Sequence, residues 1–179
     1  MNVLVISGSS RRGSLNTRLA HLVAELCPAD SARVVSDLFR LPFFDADLEA
    51  AGTPAAVGEL RAAVEAADLV VFSTPEYNGT IPGVLANALD WLSRPHGQSV
   101  LRSKTVLVLS ASPSPGGATS AAAHLRHVLT RIGADVVDAG LSVAAAHRRL
   151  AADPDPQLVK DLNDQLTDVL GPASRSVAA

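Results

Sequence analysis

Apolar runs of strand length alternate with helical patterns from one end of this sequence to the other. "NVLVISG" reads as a buried strand, and Leu15, Leu19, Leu22, Val23 and Leu26 then recur at helical spacing. "ARVVSDL" is a second strand, followed by the irregular "FRLPFFDADLEAAGTP". Val57, Leu60, Val64 and Ala67 mark a helix that runs into the strand "DLVVFST". A Pro/Gly-bounded loop, "PEYNGTIPG", leads to a helix over "VLANALDWLSR". "KTVLVLSA" is a fourth strand and "SPSPGGATS" the loop after it. Ala121, Leu125, Val128, Leu129 and Ile132 define the next helix, and a fifth strand falls near "ADVVDAGLSV". A last helix carries Leu158, Leu162, Leu166, Val169 and Leu170.

The strands are apolar on both faces, which requires a parallel sheet covered on each side. The expectation is a doubly wound α/β fold with five strands. Right-handed crossovers leave few arrangements, and the order 2-1-3-4-5 is the economical one. With 179 residues, 47% of them hydrophobic, the chain has enough for one full core and too little for two. Residues 1–171 are therefore expected to form a single domain, and residues 172–179, which lack a core pattern, a frayed tail.

A net charge of −3 without blocks of like charge argues against a nucleic-acid surface. The sole cysteine, Cys27, closes an apolar helical pattern; it excludes an intrachain disulfide and suits a reducing cytoplasm. The apolar run from Val3 to Ile6 is too short for a signal peptide, and no segment approaches a membrane span.

In sheets of this kind, ligands sit beyond the carboxyl ends of the strands, near the switch point between strands 1 and 3. The loops at those ends are "SGSSRRGS", "STPEYNGTIPG" and "SASPSPGGATS", all rich in Ser, Thr, Pro and Gly. In the first, Gly8 and Gly13 have the spacing of G-x-x-x-x-G-K-[ST], but Ser14 stands where a triphosphate loop needs its lysine. Backbone N–H groups at the start of the helix, with Ser9, Ser14, Asn16 and Thr17, suit a terminal monophosphate held by neutral donors. Arg11 can add a charge-assisted contact, whereas Arg12 reads as a solvated neighbour. Ser14 as a simple helix cap, with Asn16 steadying the turn, is the alternative.

The second loop holds the only tyrosine, Tyr77, and the following helix the only tryptophan, Trp91. A planar ring system can lie against backbone stiffened by Pro75 and opened by Gly79, with Asn78 and nearby N–H groups at its polar edge. Thr80 is expected to cap the next helix, with Pro82 in its first turn.

These two stretches, "GSSRRGSLNTRLA" and "PEYNGTIPGVLANALDW", resemble the NADPH-dependent FMN reductase family, which includes quinone, azo-dye and chromate reductases. The likeness runs in order from "VLVISGS" through "LRHVLTRIGADVV". The family's G-S-x-R-x-G-S-x-N phosphate loop matches at Gly8, Ser9, Arg11, Gly13, Ser14 and Asn16. Its P-E-Y-N-G loop, which lines the isoalloxazine ring, matches from Pro75 to Gly79. The resemblance implies a flavodoxin-like fold and an FMN site formed by Ser9, Arg11, Ser14, Leu15, Asn16, Pro75, Glu76, Tyr77, Asn78, Gly79 and Ser112. The third loop departs from the family through its "SPSP", where Ser112, Gly116 and Gly117 stand in for a glycine-rich turn.

The resemblance further implies NADPH or NADH as co-substrate, hydride transfer to flavin N5, and ping-pong delivery to a quinone, flavin, azo compound or metal oxyanion. No catalytic side chain and no metal are expected, and Glu76 is expected to give shape or a hydrogen bond rather than acid catalysis. An FMN-bearing electron carrier without dehydrogenase activity is the rival reading; such a carrier favours a strongly acidic surface and a ring packed between aromatics. A homodimer, or a tetramer built from two, is also implied. Phe39, Phe43 and Phe44 add apolar surface to that expectation, and Trp91, which lies either under a loop or on a partner, is expected at or beside the dimer interface.

Overall fold

The computed structural model describes residues 1–28 and 31–171, so the expected tail at 172–179 lies outside the described residues. In chain order the elements are β1 (Val3–Ser7), α1 (Leu15–Leu26), β2 (Ala32–Val35), a 3-10 turn (Leu38–Arg40), α2 (Ala46–Ala51), α3 (Ala55–Ala66) and β3 (Leu69–Thr74). There follow α4 (Gly83–Leu92), β4 (Thr105–Ala111), α5 (Thr119–Arg131), β5 (Asp135–Val136), β6 (Ser142–Val143), α6 (Ala146–Arg149) and α7 (Pro156–Leu170). All pairings are parallel, in the order β2-β1-β3-β4-β5, with β6 also on β4.

Side-chain alternation along the strands sorts the core into two layers. Leu4, Ile6, Val70, Phe72, Val106 and Val108 face α3, α4 and α5 through Val64, Leu85, Leu89 and Leu125. Val3, Val5, Leu69, Val71, Leu107 and Leu109 face α1 and α7 through Leu19, Val23, Leu158 and Leu162. The Cys27 side chain is buried in this second layer, and that burial pushes its thiol up from the ordinary value.

The structure differs from the sequence reading at three places. The expected fifth strand is two short ones, β5 and β6. Gly140 between them has φ 132°, and a Cβ there would lie 2.2 Å from the Val108 carbonyl oxygen, so extended pairing breaks at that point. The Arg126 guanidinium takes up the freed carbonyls, donating to Val137 O at 2.8 Å and also to Ala139 O. The segment read as irregular contains α2, whose N-cap Asp45 accepts from Asp47 N and Leu48 N. Finally, α4 begins after Pro82, its N-cap, and not at Thr80.

Trp91 is covered by the chain itself. With Leu85, Ala88, Leu89 and Leu92 turned to the sheet, Trp91 points toward residues 42–44 and is only 2% exposed in the single chain. Its indole N–H donates to Pro42 O at 2.8 Å, and its ring meets Phe44 edge-on at 5.0 Å. Asn87 holds the same segment, accepting from Phe44 N at 2.7 Å and donating to Pro42 O at 2.9 Å. Within the single chain Trp91 therefore lies under this loop, which covers its indole. Phe39 and Phe43 stay exposed.

Candidate functional site

The first loop is drawn tightly into the fold. A Cβ on Gly8 would meet Leu85 Cδ2 at 2.8 Å, and the Gly8 N–H donates to Ser73 O at 2.8 Å. Gly13, at φ 66°, makes the left-handed turn into α1 that a Cβ would strain. Ser14 is the N-cap, its Oγ accepting from Asn16 N at 3.2 Å and Thr17 N at 3.3 Å. The buried Ser9 Oγ accepts from Arg11 N at 3.4 Å. Both hydroxyls thus act as acceptors toward their own backbone and keep their protons to donate outward. Among the described residues, the backbone N–H groups of Ser10, Arg12, Gly13 and Leu15 have no protein acceptor. Orphan donors at a helix start, in the positive field of its dipole, suit an anion without a lysine.

Asn16 does something the sequence did not show. Its side chain is 2% exposed and already makes three hydrogen bonds. Nδ2 donates to Ala111 O at 2.9 Å, while Oδ1 accepts from Ala111 N at 3.0 Å and Ser73 Oγ at 3.0 Å. Bonding both the N–H and the C=O of one residue is what a neighbouring strand would do, and β3 pairs with β4 only as far as Thr74 and Ser110. Asn16 continues that ladder and ties the ends of β3 and β4 to the start of α1. Expected as a phosphate donor, it is instead largely spent on this strut, with a single N–H hydrogen left over.

In the second loop, Tyr77 and Thr80 exchange backbone hydrogen bonds of 2.9 and 3.0 Å across Asn78 and Gly79. These two residues have φ 53° and 76°, the paired left-handed conformation of a tight two-residue turn that Asn-Gly adopts most easily. Glu76 Oε2 accepts from Ala121 N at 3.2 Å, supplying the cap that Ala118 cannot give α5. Thr80 Oγ1 pairs with His124 Nδ1 on the same helix. The loop is therefore clamped to α5 at two points. Tyr77 stands 50% exposed beside the cleft.

The third loop is held by β6: Ser112 N–H donates to Val143 O at 3.1 Å, and Ala146 N–H donates to Ser112 O at 3.0 Å. Ser112 Oγ accepts from Ser114 N at 3.2 Å.

The three loops enclose a cleft of about 230 Å³. Of the residues expected from sequence, Ser9, Arg11, Ser14, Leu15, Asn16, Pro75, Glu76, Tyr77 and Ser112 line it together. Asn78 and Gly79 do not line it; they form the turn that presents Tyr77. Ala111 and Pro113 also line it, and only the course of β4 past Ser110 could have signalled them. Such a cleft can hold an anion at the start of α1 and a flat, partly apolar group along Pro75 and Tyr77.

Residues 1–148, which include all three loops, match the family described as NADPH-dependent FMN reductase. An NAD(P)H-dependent FMN reductase of Pseudomonas aeruginosa is 40% identical over 129 residues, covering 72% of this chain and 69% of that protein. A 2-hydroxy-1,4-benzoquinone reductase of Burkholderia sp is 39% identical over 128 residues, with the same coverage of 72% and 69%. Among solved structures, the flavoenzyme NAD(P)H:(acceptor) oxidoreductase FerB of Paracoccus denitrificans superposes with a TM-score of 0.81 at 30% identity, covering 94% of each chain. An archaeal flavodoxin, at TM-score 0.61 and 12% identity over 94% of this chain and 96% of that one, shares the fold.

Proposed function

Because this chain belongs to the NADPH-dependent FMN reductase family, we propose that its three-loop cleft holds FMN and passes electrons from NAD(P)H to a small-molecule acceptor. The acceptor class is a quinone, free flavin, azo compound or metal oxyanion. The observation that carries this reading is the set of unpaired N–H groups at Ser10, Arg12, Gly13 and Leu15, beside the proton-bearing hydroxyls of Ser9 and Ser14. These donors fit the single phosphate of a mononucleotide, for which no P-loop lysine is needed.

When bound, FMN supplies the two-electron chemistry, with hydride entering at N5 and the donor leaving before the acceptor arrives. The chain's own residues bind and orient. Ser9, Ser14 and the free N–H groups fix the phosphate end, with Arg11 as the charged contact. Pro75 and Tyr77 form a wall for the ring, and the unpaired N–H groups of Glu76, Asn78 and Gly79 offer donors beside it. Glu76 lines the cleft, and its Oε2 accepts from Ala121 N at the start of α5, so its carboxylate serves as a helix cap rather than as an acid or base. Asn16 keeps the three loops at fixed separation, which is positioning rather than contact chemistry.

The same reading treats residues 1–171 as one domain working in the cytoplasm, a setting that suits a lone buried cysteine. It includes a homodimer, or a tetramer built from two, because Phe39 and Phe43 are 62% and 84% exposed. The test is to purify the protein, record its visible spectrum and identify any released flavin by chromatography. Bound FMN supports the reading. A protein that neither retains nor takes up FMN contradicts it.

A further inference from the structure

The tip of the second loop is open to a covalent reaction that the cleft does not use. Asn78 is the only one of the five asparagines followed by a glycine, Gly79. Both residues are exposed, and a Cβ added to Gly79 would meet nothing within 4 Å. Among the described residues, neither the Asn78 side chain nor the Gly79 N–H has a hydrogen-bond partner. The other asparagines are engaged or hindered. Asn16 and Asn87 are buried and bonded. Asn2 donates to Ala66 O and precedes the branched Val3, while Asn163 precedes the charged Asp164.

Two left-handed residues closing the Tyr77–Thr80 pair make a type I′ turn. Rotating the single peptide between them gives a type II′ turn, with ψ of about −120° at Asn78 and the Tyr77–Thr80 pair kept. At that ψ the Asn78 Cβ eclipses Gly79 N, which is the arrangement a five-membered ring requires. Type II′ favours glycine at its first central position, so Asn78 visits it as a minor state. We propose that Asn78 deamidates through this flipped turn, by cyclisation onto Gly79, and that a bound flavin ring protects it. Gly79 N loses its proton to water and attacks Asn78 Cγ. The N–Cγ bond forms, the Cγ–Nδ2 bond breaks, and the nitrogen takes up a proton and leaves as ammonia. Water then opens the ring at either carbonyl, giving aspartate or isoaspartate at this position with no change of oxidation state. The protection rests on the reading that places the Gly79 N–H beside the flavin ring. A hydrogen bond there occupies the attacking nitrogen and holds the peptide against the flip. Flavin-free chains therefore age at this loop, and flavin-loaded chains do not.

The test is a time course of the purified protein in mildly alkaline buffer, well below its melting temperature so that global unfolding does not supply the reaction. Peptide mapping by mass spectrometry follows each asparagine, with and without FMN. In flavin-free protein Asn78 should convert fastest, and isoaspartate beside aspartate should mark the cyclic route. With FMN at about 100 times its Kd, about one chain in a hundred is free, so conversion should slow at least about tenfold. Riboflavin at the same saturation should protect as well, and inorganic phosphate should not, because the ring and not the phosphate meets this turn. Gly79→Ala, whose Cβ crowds the attacking nitrogen, should slow the reaction; the wild-type time course decides the matter should that variant fail to fold. An Asn78 that stays intact in flavin-free protein overturns the proposal, and so do equal rates with and without bound FMN. A protein that takes up no FMN contradicts the oxidoreductase reading separately, and the flavin-free time course still decides the modification site.

Discussion

Replacing Asn16 with alanine should destabilise the protein before any ligand is considered. The side chain is buried, and its loss strands the N–H and C=O of Ala111, itself 2% exposed, together with the Ser73 hydroxyl. The hydroxyl can rotate to another acceptor, but the two backbone groups cannot. Each buried, unsatisfied backbone group costs about 1–3 kcal/mol, so the pair costs about 3 kcal/mol after partial relief by water. For a chain of this size that corresponds to a fall of about 6–12 °C in Tm. Asn16→Asp should do no better, since it sets a carboxylate oxygen against the Ala111 carbonyl. The assay is thermal unfolding of flavin-free protein followed by circular dichroism. Affinities for FMN and riboflavin should fall together, because the strut shapes the whole cleft. A flavin-free Asn16→Ala protein that melts within about 2 °C of wild type, a shift under about 1 kcal/mol, would refute the strut and return Asn16 to simple phosphate binding.

Ser14→Ala removes a neutral phosphate donor, so FMN should weaken about tenfold by titration while riboflavin changes much less; equal losses would contradict the assignment. Phe43→Glu should reduce the assembly seen by light scattering, whereas Trp91→Glu should lower stability by burying a charge; dissociation of a stable Trp91→Glu protein would show the loop covering to be wrong. The Leu158 N–H holds the Asp155 carboxyl below its ordinary value at the start of α7. A lowered folded value gives stability that is present above the ordinary carboxylate range and lost as pH falls through that lowered value. Asp155→Asn should therefore flatten the acid limb of a urea-midpoint profile, and an unchanged limb would dismiss the cap.

The architecture was readable because continuous apolar strands and helical spacing point to one answer, down to the order of the first five strands. The loops that line the cleft were readable for the same reason: in a parallel sheet the chain ends of the strands choose them. The split between β5 and β6 was not readable, because it depends on the close approach of Gly140 to Val108 O, a contact between distant residues. The strut was equally hidden. Asn16 reads as a turn or phosphate residue from its neighbours, and only folding brings Ala111, 95 positions away, against it. Trp91 was ambiguous for a simpler reason: helical periodicity gives the side it faces but not what covers that side.

The most direct measurement is anaerobic titration of the FMN-loaded protein with NADPH or NADH while the visible flavin band is followed. The expected result is bleaching that completes near one equivalent of the better donor, with colour restored by a stoichiometric quinone. A bound flavin whose band neither donor changes would contradict an NAD(P)H-dependent reductase and leave an electron carrier in its place.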